Sequence, residues 1–411
     1  MIFIYNVGVS IYQLLIAIVS SFNTKAKLWR DGRKNWEVRL REAIKNNEKI
    51  VWFHCASLGE FEQGRPVIEA FREKYPAIKI LLTFFSPSGY EVRKNYSNAD
   101  YIFYLPIDTR RNAIKFIEIA NPIAAIFVKY EFWYHYLNQL KKRSIPTYII
   151  SAIFREDQAF FKPYGRWYRN FLFNFHHLFV QNEKSKELLE SIGVNNVTIA
   201  GDTRFDRVAT NAQSAKRIPL FEEFAGTAKV FVAGSTWPDD EEILIEYFKE
   251  NIYNLKLIVA PHEINTQNIE KFRARIGVKS ILYTKHEDTE VKDAQVLVID
   301  TIGVLSSAYR YGTISYIGGG FGVGIHNTLE AAVFGIPVVF GPNYQRFQEA
   351  VDLIGIGAAH SIVNQQDLSN VLKQYFEKNT ELQEVKNSLS GYFSRKVGAT
   401  KMIVENINLN Y

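Results

Sequence analysis

The chain has 411 residues, 47% hydrophobic and 22% charged, a composition that excludes a disordered or low-complexity protein and suits two or three domains of ordinary size. A single cysteine, Cys55, excludes an intrachain disulfide and a cysteine metal cluster, and fits a reducing compartment. The formal net charge of +6 is unevenly spread, and that distribution says more than its size.

Residues 1–24 carry no charged side chain, whereas residues 25–49 hold nine Lys or Arg against four acids. The apolar run is close to the ~20 residues that a spanning helix needs, although Asn6, Ser10 and Gln13 interrupt it. The basic residues follow the run, which disfavours a secretory signal peptide and keeps the rest of the chain on the cytoplasmic side. Residues 1–24 are therefore expected to be a membrane anchor, spanning the bilayer or lying in its surface, with Trp29 and Trp36 at the interface. A basic cluster beside an apolar segment indicates an anionic membrane surface as partner rather than nucleic acid.

From residue 50 onward short β-rich runs alternate with helical stretches. Strands are expected at 50–54, 78–84, 101–104, 124–128, 147–151, 177–180 and 197–199, with helices such as 65–74 and 185–192 between them. The polar stretch 207–219 reads as a linker. A second alternating series follows, at 230–233, 255–260, 296–299, 314–317 and 337–340. This pattern predicts α/β architecture: two doubly wound Rossmann-like domains, with ligands at the carboxyl ends of the strands and in the cleft between the halves. The expected domains are 25–210 and 219–381, with a C-terminal helix over 382–411 packing back toward the N-terminal domain.

Four stretches carry candidate chemistry. In F-H-C-A-S-L-G-E, Ser57 and Glu60 have capping-box spacing. Glycine at 59 costs stability in a first helical turn, so a carboxylate open to substrate, acting as general base, is the alternative. In V-K-Y-E-F-W, Glu131 follows a strand as either a solvated loop acid or a second site carboxylate. In A-G-S-T-W-P-D-D-E-E, Ser235 and Thr236 end a strand and open a helix, a turn suited to an anion. In Y-I-G-G-G-F-G-V-G-I-H-N-T-L-E, glycines that include Gly319 and Gly320 lead to a helix start at Asn327, Thr328, Leu329 and Glu330. Asn327 and Glu330 fit a capping box, and alternatively Glu330 accepts from ribose hydroxyls. The acid that a dinucleotide site needs after the next strand is absent, which disfavours a dehydrogenase.

Together with F-S-P-S-G-Y-E (85–91), S-A-I-F-R-E (151–156), G-D-T-R-F-D (201–206) and D-T-I-G-V-L (300–305), these stretches resemble the Kdo transferases, which attach 3-deoxy-D-manno-octulosonic acid to a lipid A precursor. The resemblance covers nearly the whole chain. It implies a GT-B glycosyltransferase fold, an inner-membrane location with the catalytic domains on the cytoplasmic face, a CMP-Kdo donor that is a substrate rather than a cofactor, no metal, and inversion at the anomeric carbon. By position, Glu60 matches the family's general base, and Glu131 and Arg204 match residues that stabilise the transition state. Pro261 and His262, Ile302, Gly303 and Val304, and Asn327 to Glu330 match stretches that hold CMP. Three departures stand out. Arg204 replaces a usual Lys, P-H-E replaces Pro-Arg-His so that a cation near the phosphate is missing, and Val304 replaces a Glu and offers backbone only. The rival expectations are a glycosyltransferase of the same fold using a UDP-sugar and a non-catalytic lipid-binding protein.

Overall fold

Runs of β-branched and aromatic residues build two all-parallel sheets, one in each of two units. The computed structural model describes residues 1–45, 47–286, 291–377 and 379–409. The first unit comprises Met1–Asp206 and Lys396–Tyr411; the second comprises Arg207–Arg395.

The first unit contains strands β1 (Ile50–Cys55), β2 (Lys79–Phe84), β3 (Tyr101–Tyr104), β4 (Ala124–Val128), β5 (Thr147–Ala152), β6 (His177–Val180) and β7 (Val197–Ile199). They are ordered β3-β2-β1-β4-β5-β6-β7. Chain order reverses between β1 and β4, which pair in parallel from Val51 opposite Ala124 to His54 opposite Phe127. All six residues of β1 are buried, because helices cover both faces of the sheet. Alternation persists inside this apolar run: Ile50 and Trp52 join the core on one face, with Phe127 and Ile149. Val51, Phe53 and Cys55 join the core on the other, with Ile126 and Val128.

The second unit contains β8 (Val230–Thr236), β9 (Lys256–Pro261), β10 (Ser280–Leu282), β11 (Val296–Val298), β12 (Ile314–Ile317), β13 (Val338–Phe340) and β14 (Ala359–Ser361). Their order is β10-β11-β9-β8-β12-β13-β14, with the reversal between β8 and β12. In open sheets of this kind ligands bind outside the carboxyl ends of the strands at the reversal.

Three local readings change. The stretch read as a linker is helical in its first part, since a helix runs over Thr203–Ser214. Strands β10 and β14, three residues each, carry too little pattern to be expected. The N-terminal helix Ile2–Val19 has no buried residue, yet it is fastened to the first unit. The Tyr5 hydroxyl donates to Asp108 Oδ2 at 2.5 Å, and Asn6 Oδ1 lies 2.7 Å from His135 Nε2. Asp108 also accepts the backbone N–H groups of His135 and Tyr136.

Candidate active site

In the first unit β1 ends at Cys55, and Ser57 starts the helix Leu58–Lys74, its hydroxyl accepting the Gly59 N–H at 3.2 Å. The second half of the expected capping box does not form as written: Glu60 accepts the hydroxyl of Ser57 instead of its backbone N–H. The Glu60 carboxylate is thereby steered by its neighbour while staying partly exposed. Space around Gly59 is open, since a Cβ there would meet nothing nearer than the Ser57 hydroxyl at 3.7 Å.

Glu131 follows β4 and is 8% exposed, so it is not a solvated loop acid. Lys129 takes a left-handed φ of 67°, a backbone turn uncommon for a non-glycine residue, two positions before it. Its Oε2 accepts the Trp133 indole N–H at 2.7 Å and lies 3.3 Å from His54 Nε2. His54 is fully buried, with Nδ1 2.8 Å from the Thr83 hydroxyl, which itself accepts the Trp52 indole N–H at 2.8 Å. The Thr83 hydroxyl also faces the Phe53 carbonyl at 3.4 Å, so it links the Trp52 indole, the His54 ring and the β1 backbone. The Trp133 N–H also approaches His54 Nε2, at 3.2 Å, so the indole bridges imidazole and carboxylate, with its shorter bond to Glu131. A buried carboxylate is costly unless it receives such donors.

Glu60 and Glu131 act on the same neighbourhood. Burial pushes the Cys55 thiol well up, and the charges of Glu60 and Glu131 push it further, so this cysteine is inert. The Tyr130 hydroxyl is pushed up by burial, while Arg155 pulls it down and Glu60 adds a smaller upward effect. Beside Trp133, whose ring lies 4.7 Å from Phe85, an apolar recess of about 460 Å³ opens, lined by Tyr5, Val9, Tyr12, Phe85, Trp133 and Trp167 among others.

Arg204 folds back onto Asp202, with Nε and Nη2 at 2.8 and 2.7 Å from Oδ2 and its backbone N–H on Oδ1. Thr203 beside it is anchored on the Gln63 carbonyl at 2.6 Å and lies 3.0 Å from the Ser151 hydroxyl.

In the second unit the expected donor residues fall into two groups. At the β8/β12 reversal lie Ser235, with a left-handed φ of 55°, Thr236, whose hydroxyl donates to Glu241, and the glycine loop after β12. Pro261 ends β9, and His262 stacks on both Trp237 and His326 with ring centroids 4.5 and 4.4 Å away. The loop glycines were expected to bring backbone close to a bulky ligand. At two of them the close neighbour is the chain's own backbone. A Cβ on Gly318 would sit 2.2 Å from the Ser235 carbonyl, and one on Gly320 would sit 2.6 Å from Gly341 Cα. The Gly319 N–H is donated to Asp240 at 2.8 Å. Asn327 and Glu330 bond to each other but do not form the expected capping box: Thr328 is the N-cap of the helix Leu329–Ala332, the Leu329 N–H goes to Asn327 Oδ1, and the Asn327 side-chain amide donates to Glu330 at 3.0 Å. Thr328 and Leu329 are buried.

The second group is the loop Ile302, Gly303 and Val304. Ile302 is 88% exposed and Gly303 has a φ of +95°. Gly303, Val304, Ser306 and Ser307 share a recess of about 490 Å³ with Lys216 and Arg217, two cations that the sequence reading passed over because they sit in the stretch taken as a linker. His54, Thr83 and Trp133 were missed as well. Their signal was a polar residue inside an otherwise apolar strand, at His54 in I-V-W-F-H-C and at Thr83 in K-I-L-L-T-F.

Residues 34–207 match the family model described as 3-deoxy-D-manno-octulosonic-acid transferase (kdotransferase). A 3-deoxy-D-manno-octulosonic acid transferase from Aquifex aeolicus is 28% identical over 366 residues, covering 87% of this chain and 95% of that protein. One from Chlamydia muridarum is 24% identical over 361 residues, covering 84% and 82%. Among solved structures, UDP-GlcNAc 2-epimerase from Neisseria meningitidis superposes with a TM-score of 0.60 at 18% identity, over 87% of this chain and 98% of that one, a likeness of fold alone. The pair of parallel seven-stranded sheets and the N-terminal apolar helix are the GT-B-type architecture expected from the sequence. With that architecture, a family-model match over residues 34–207 and relatives 24–28% identical along most of its length, the chain is similar to the Kdo transferases.

Proposed function

We propose that the protein transfers Kdo from CMP-Kdo to a lipid A precursor, with inversion and without a metal ion, at the cytoplasmic face of the inner membrane. The observation that carries this reading is the pair of carboxylates at the β1/β4 reversal, a partly exposed Glu60 oriented by Ser57 and a buried Glu131 held by the Trp133 indole beside His54. Glu60 takes the proton from a glucosamine hydroxyl. The oxygen forms a bond to the anomeric carbon of Kdo while the bond from that carbon to the phosphate oxygen breaks, and CMP leaves with the electron pair from the opposite face. A positioned base of this kind contributes about 10²–10⁴ in rate. Glu131, held by the Trp133 indole N–H, supplies a stationary negative charge for a carbocation-like sugar, and Arg204 supplies the cation for developing negative charge.

The donor is anionic. Its phosphate suits the second unit, where Lys216 and Arg217 border the Gly303–Val304 loop. The acceptor is an acylated sugar, and the aromatic recess beside Trp133 lies in the unit that carries the base. The N-terminal helix is long and apolar enough to cross a membrane, with mean hydropathy 2.0. Because Tyr5 and Asn6 tie it to the first unit, we place it along the membrane surface, with Phe3, Leu14 and Ile18 exposed to lipid.

The test is to incubate the pure protein with CMP-Kdo and a tetra-acylated lipid A precursor and to weigh the products. Addition of one or more Kdo masses, unaffected by a chelator, supports the proposal. No product together with thermal stabilisation by UDP but not CMP would replace it with a UDP-sugar transferase. No product and no nucleotide effect would leave a lipid-binding protein.

A further inference from the structure

The second unit contains a buried carboxylate that the reaction above does not use. Asp240 lies in the first turn of the helix Pro238–Glu250 and is 0% exposed. Its Oδ2 accepts two backbone N–H groups, from Trp237 at 2.9 Å and from Gly319 at 2.8 Å, and its Oδ1 accepts the Tyr316 hydroxyl at 2.6 Å. The three donors come from three places: the end of β8, the body of β12 and the glycine loop. A helix cap needs only the first of them.

The Gly319 N–H makes Asp240 part of a closed circuit. The Trp237 indole N–H reaches His326 Nε2 at 3.0 Å. The His326 backbone N–H returns to the Gly318 carbonyl at 3.1 Å. Gly319, the next residue, donates to Asp240. The His262 ring is stacked on both rings of this circuit and is exposed. Gly319 has a left-handed φ of +93°, which glycine adopts readily, and Asp240 fixes the direction of its amide. Burial pushes the Asp240 carboxyl up from its ordinary range, and the three donors pull it back down. A charge placed here is retained for what it organises.

We propose that Asp240 is a positioning residue for the nucleotide of the activated sugar. It sets the glycine loop and the Trp237–His262–His326 ring stack in the arrangement that receives a cytidine monophosphate ester, without touching that ester itself. This rests on the reading of the protein as a CMP-Kdo-dependent transferase. Asp240→Asn keeps the shape, and its amide oxygen can still accept both backbone N–H groups while its NH2 faces the Tyr316 hydroxyl, so what is removed is the charge that strengthens all three bonds. Hydrogen bonds to charged groups are among the stronger ones. We expect the KM for CMP-Kdo and the Kd for CMP to rise about tenfold or more, ~1.4 kcal/mol per tenfold. The kcat at saturating donor should stay within about threefold, and the acceptor KM should not move.

Trp237→Phe tests the circuit without disturbing the buried carboxylate, since Trp237 is 37% exposed. It should raise the CMP Kd at least about threefold, the loss of one net hydrogen bond, at unchanged thermal stability. Calorimetric titration of CMP into the full-length wild type, Asp240→Asn and Trp237→Phe separates the outcomes. If wild type binds CMP and both variants bind it equally well, the inference is overturned while the transferase reading stands. Lower melting temperature for Asp240→Asn with donor KM and CMP Kd unmoved assigns it a structural role and overturns the inference too. If Asp240→Asn does not fold, Trp237→Phe decides alone. Wild type that neither binds CMP nor consumes CMP-Kdo removes the transferase reading and this inference with it.

Discussion

Glu60→Gln separates chemistry from architecture, because the replacement keeps the size of the side chain and an oxygen that can still accept the Ser57 hydroxyl. The local cap should survive, since Ser57 still accepts the Gly59 N–H. The companion change, Ser57→Ala, does the reverse. It removes a helix-cap acceptor worth about 1 kcal/mol, and in a unit of this size that lowers Tm by about 2–4 °C. Glu60→Gln is therefore expected to leave Tm within about 1 °C of wild type, far less than the cap change. Its kcat should fall by about 10²–10⁴, the range for removal of a positioned base. Ser57→Ala should show the larger Tm change and a smaller rate loss, through a less well oriented carboxylate. The assay is release of CMP at saturating donor and acceptor, run beside a thermal melt of each variant. A Glu60→Gln enzyme that keeps more than about a tenth of the wild-type rate would refute the role of this carboxylate as the base. A rate loss matched by an equal loss of Tm would refute the separation of the two effects.

Four other outcomes follow from the packing and the charges. Gly320→Ala forces a methyl to within 2.6 Å of the Gly341 backbone, whereas a Cβ on Gly322 would have its nearest neighbour at 3.7 Å. The first should cost about 1–3 kcal/mol or more in a denaturant melt, and the second should be tolerated within ~0.5 kcal/mol. Burial, reinforced by the charge of His262, pushes His326 down to about 4, so the folded state disfavours the proton that an unfolded histidine takes up near pH 6.5. Its contribution to stability is complete above that pH and is lost as pH falls toward 4, so the Tm difference between wild type and His326→Gln should shrink between pH 7 and 4.5. Asp108 has the opposite sign. Burial raises it to about 6 against the pull of Tyr5 and two backbone N–H groups, so stability falls as pH rises from about 4 to 6, and Asp108→Asn should flatten that slope in a melt of the same protein. Replacing Phe3, Val7, Leu14 and Ile18 by Ser leaves the Tyr5–Asp108 and Asn6–His135 bonds intact. Flotation with anionic vesicles should fall at least about tenfold, given ~1.5–3 kcal/mol for each fully buried apolar side chain, with CMP binding unchanged.

Both sheets were legible because their long strands are uninterrupted apolar runs, such as Ile50–Cys55 and Ala124–Val128, separated by helical stretches. Legibility failed where the pattern had too few residues or two meanings. Three-residue strands such as Ser280–Leu282 cannot show a period. The helix Thr203–Ser214 presents mostly polar residues to solvent, and only Phe205 and Val208 mark its buried side. Spacing identified Glu60, Glu131 and the glycine loop, but it could not say which groups hold them. The donor to Glu131 is Trp133, which also meets His54, and His54 in turn pairs with Thr83 of a neighbouring strand, a partnership that exists only once β1, β2 and β4 lie side by side. Likewise the glycines signalled close backbone approach correctly, while the object approached at Gly318 and Gly320 was another strand end of the same sheet.

The closing residues of the polypeptide belong to the body that its opening residues begin. Ile403, Val404 and Ile407 join the core containing Val51, Phe53 and Phe71, the Tyr148 hydroxyl bonds to the Asn408 carbonyl, and Asp206 receives the N–H groups of Gly398 and Thr400. Synthesis therefore makes residues 1–206 well before the segment that completes their core. Until residues 396–409 are made the first unit waits with an open seam, while Arg207–Arg395 emerges as an uninterrupted piece that can fold ahead of it. A piece cut after residue 206 would lack the side chains and N–H groups that close this seam.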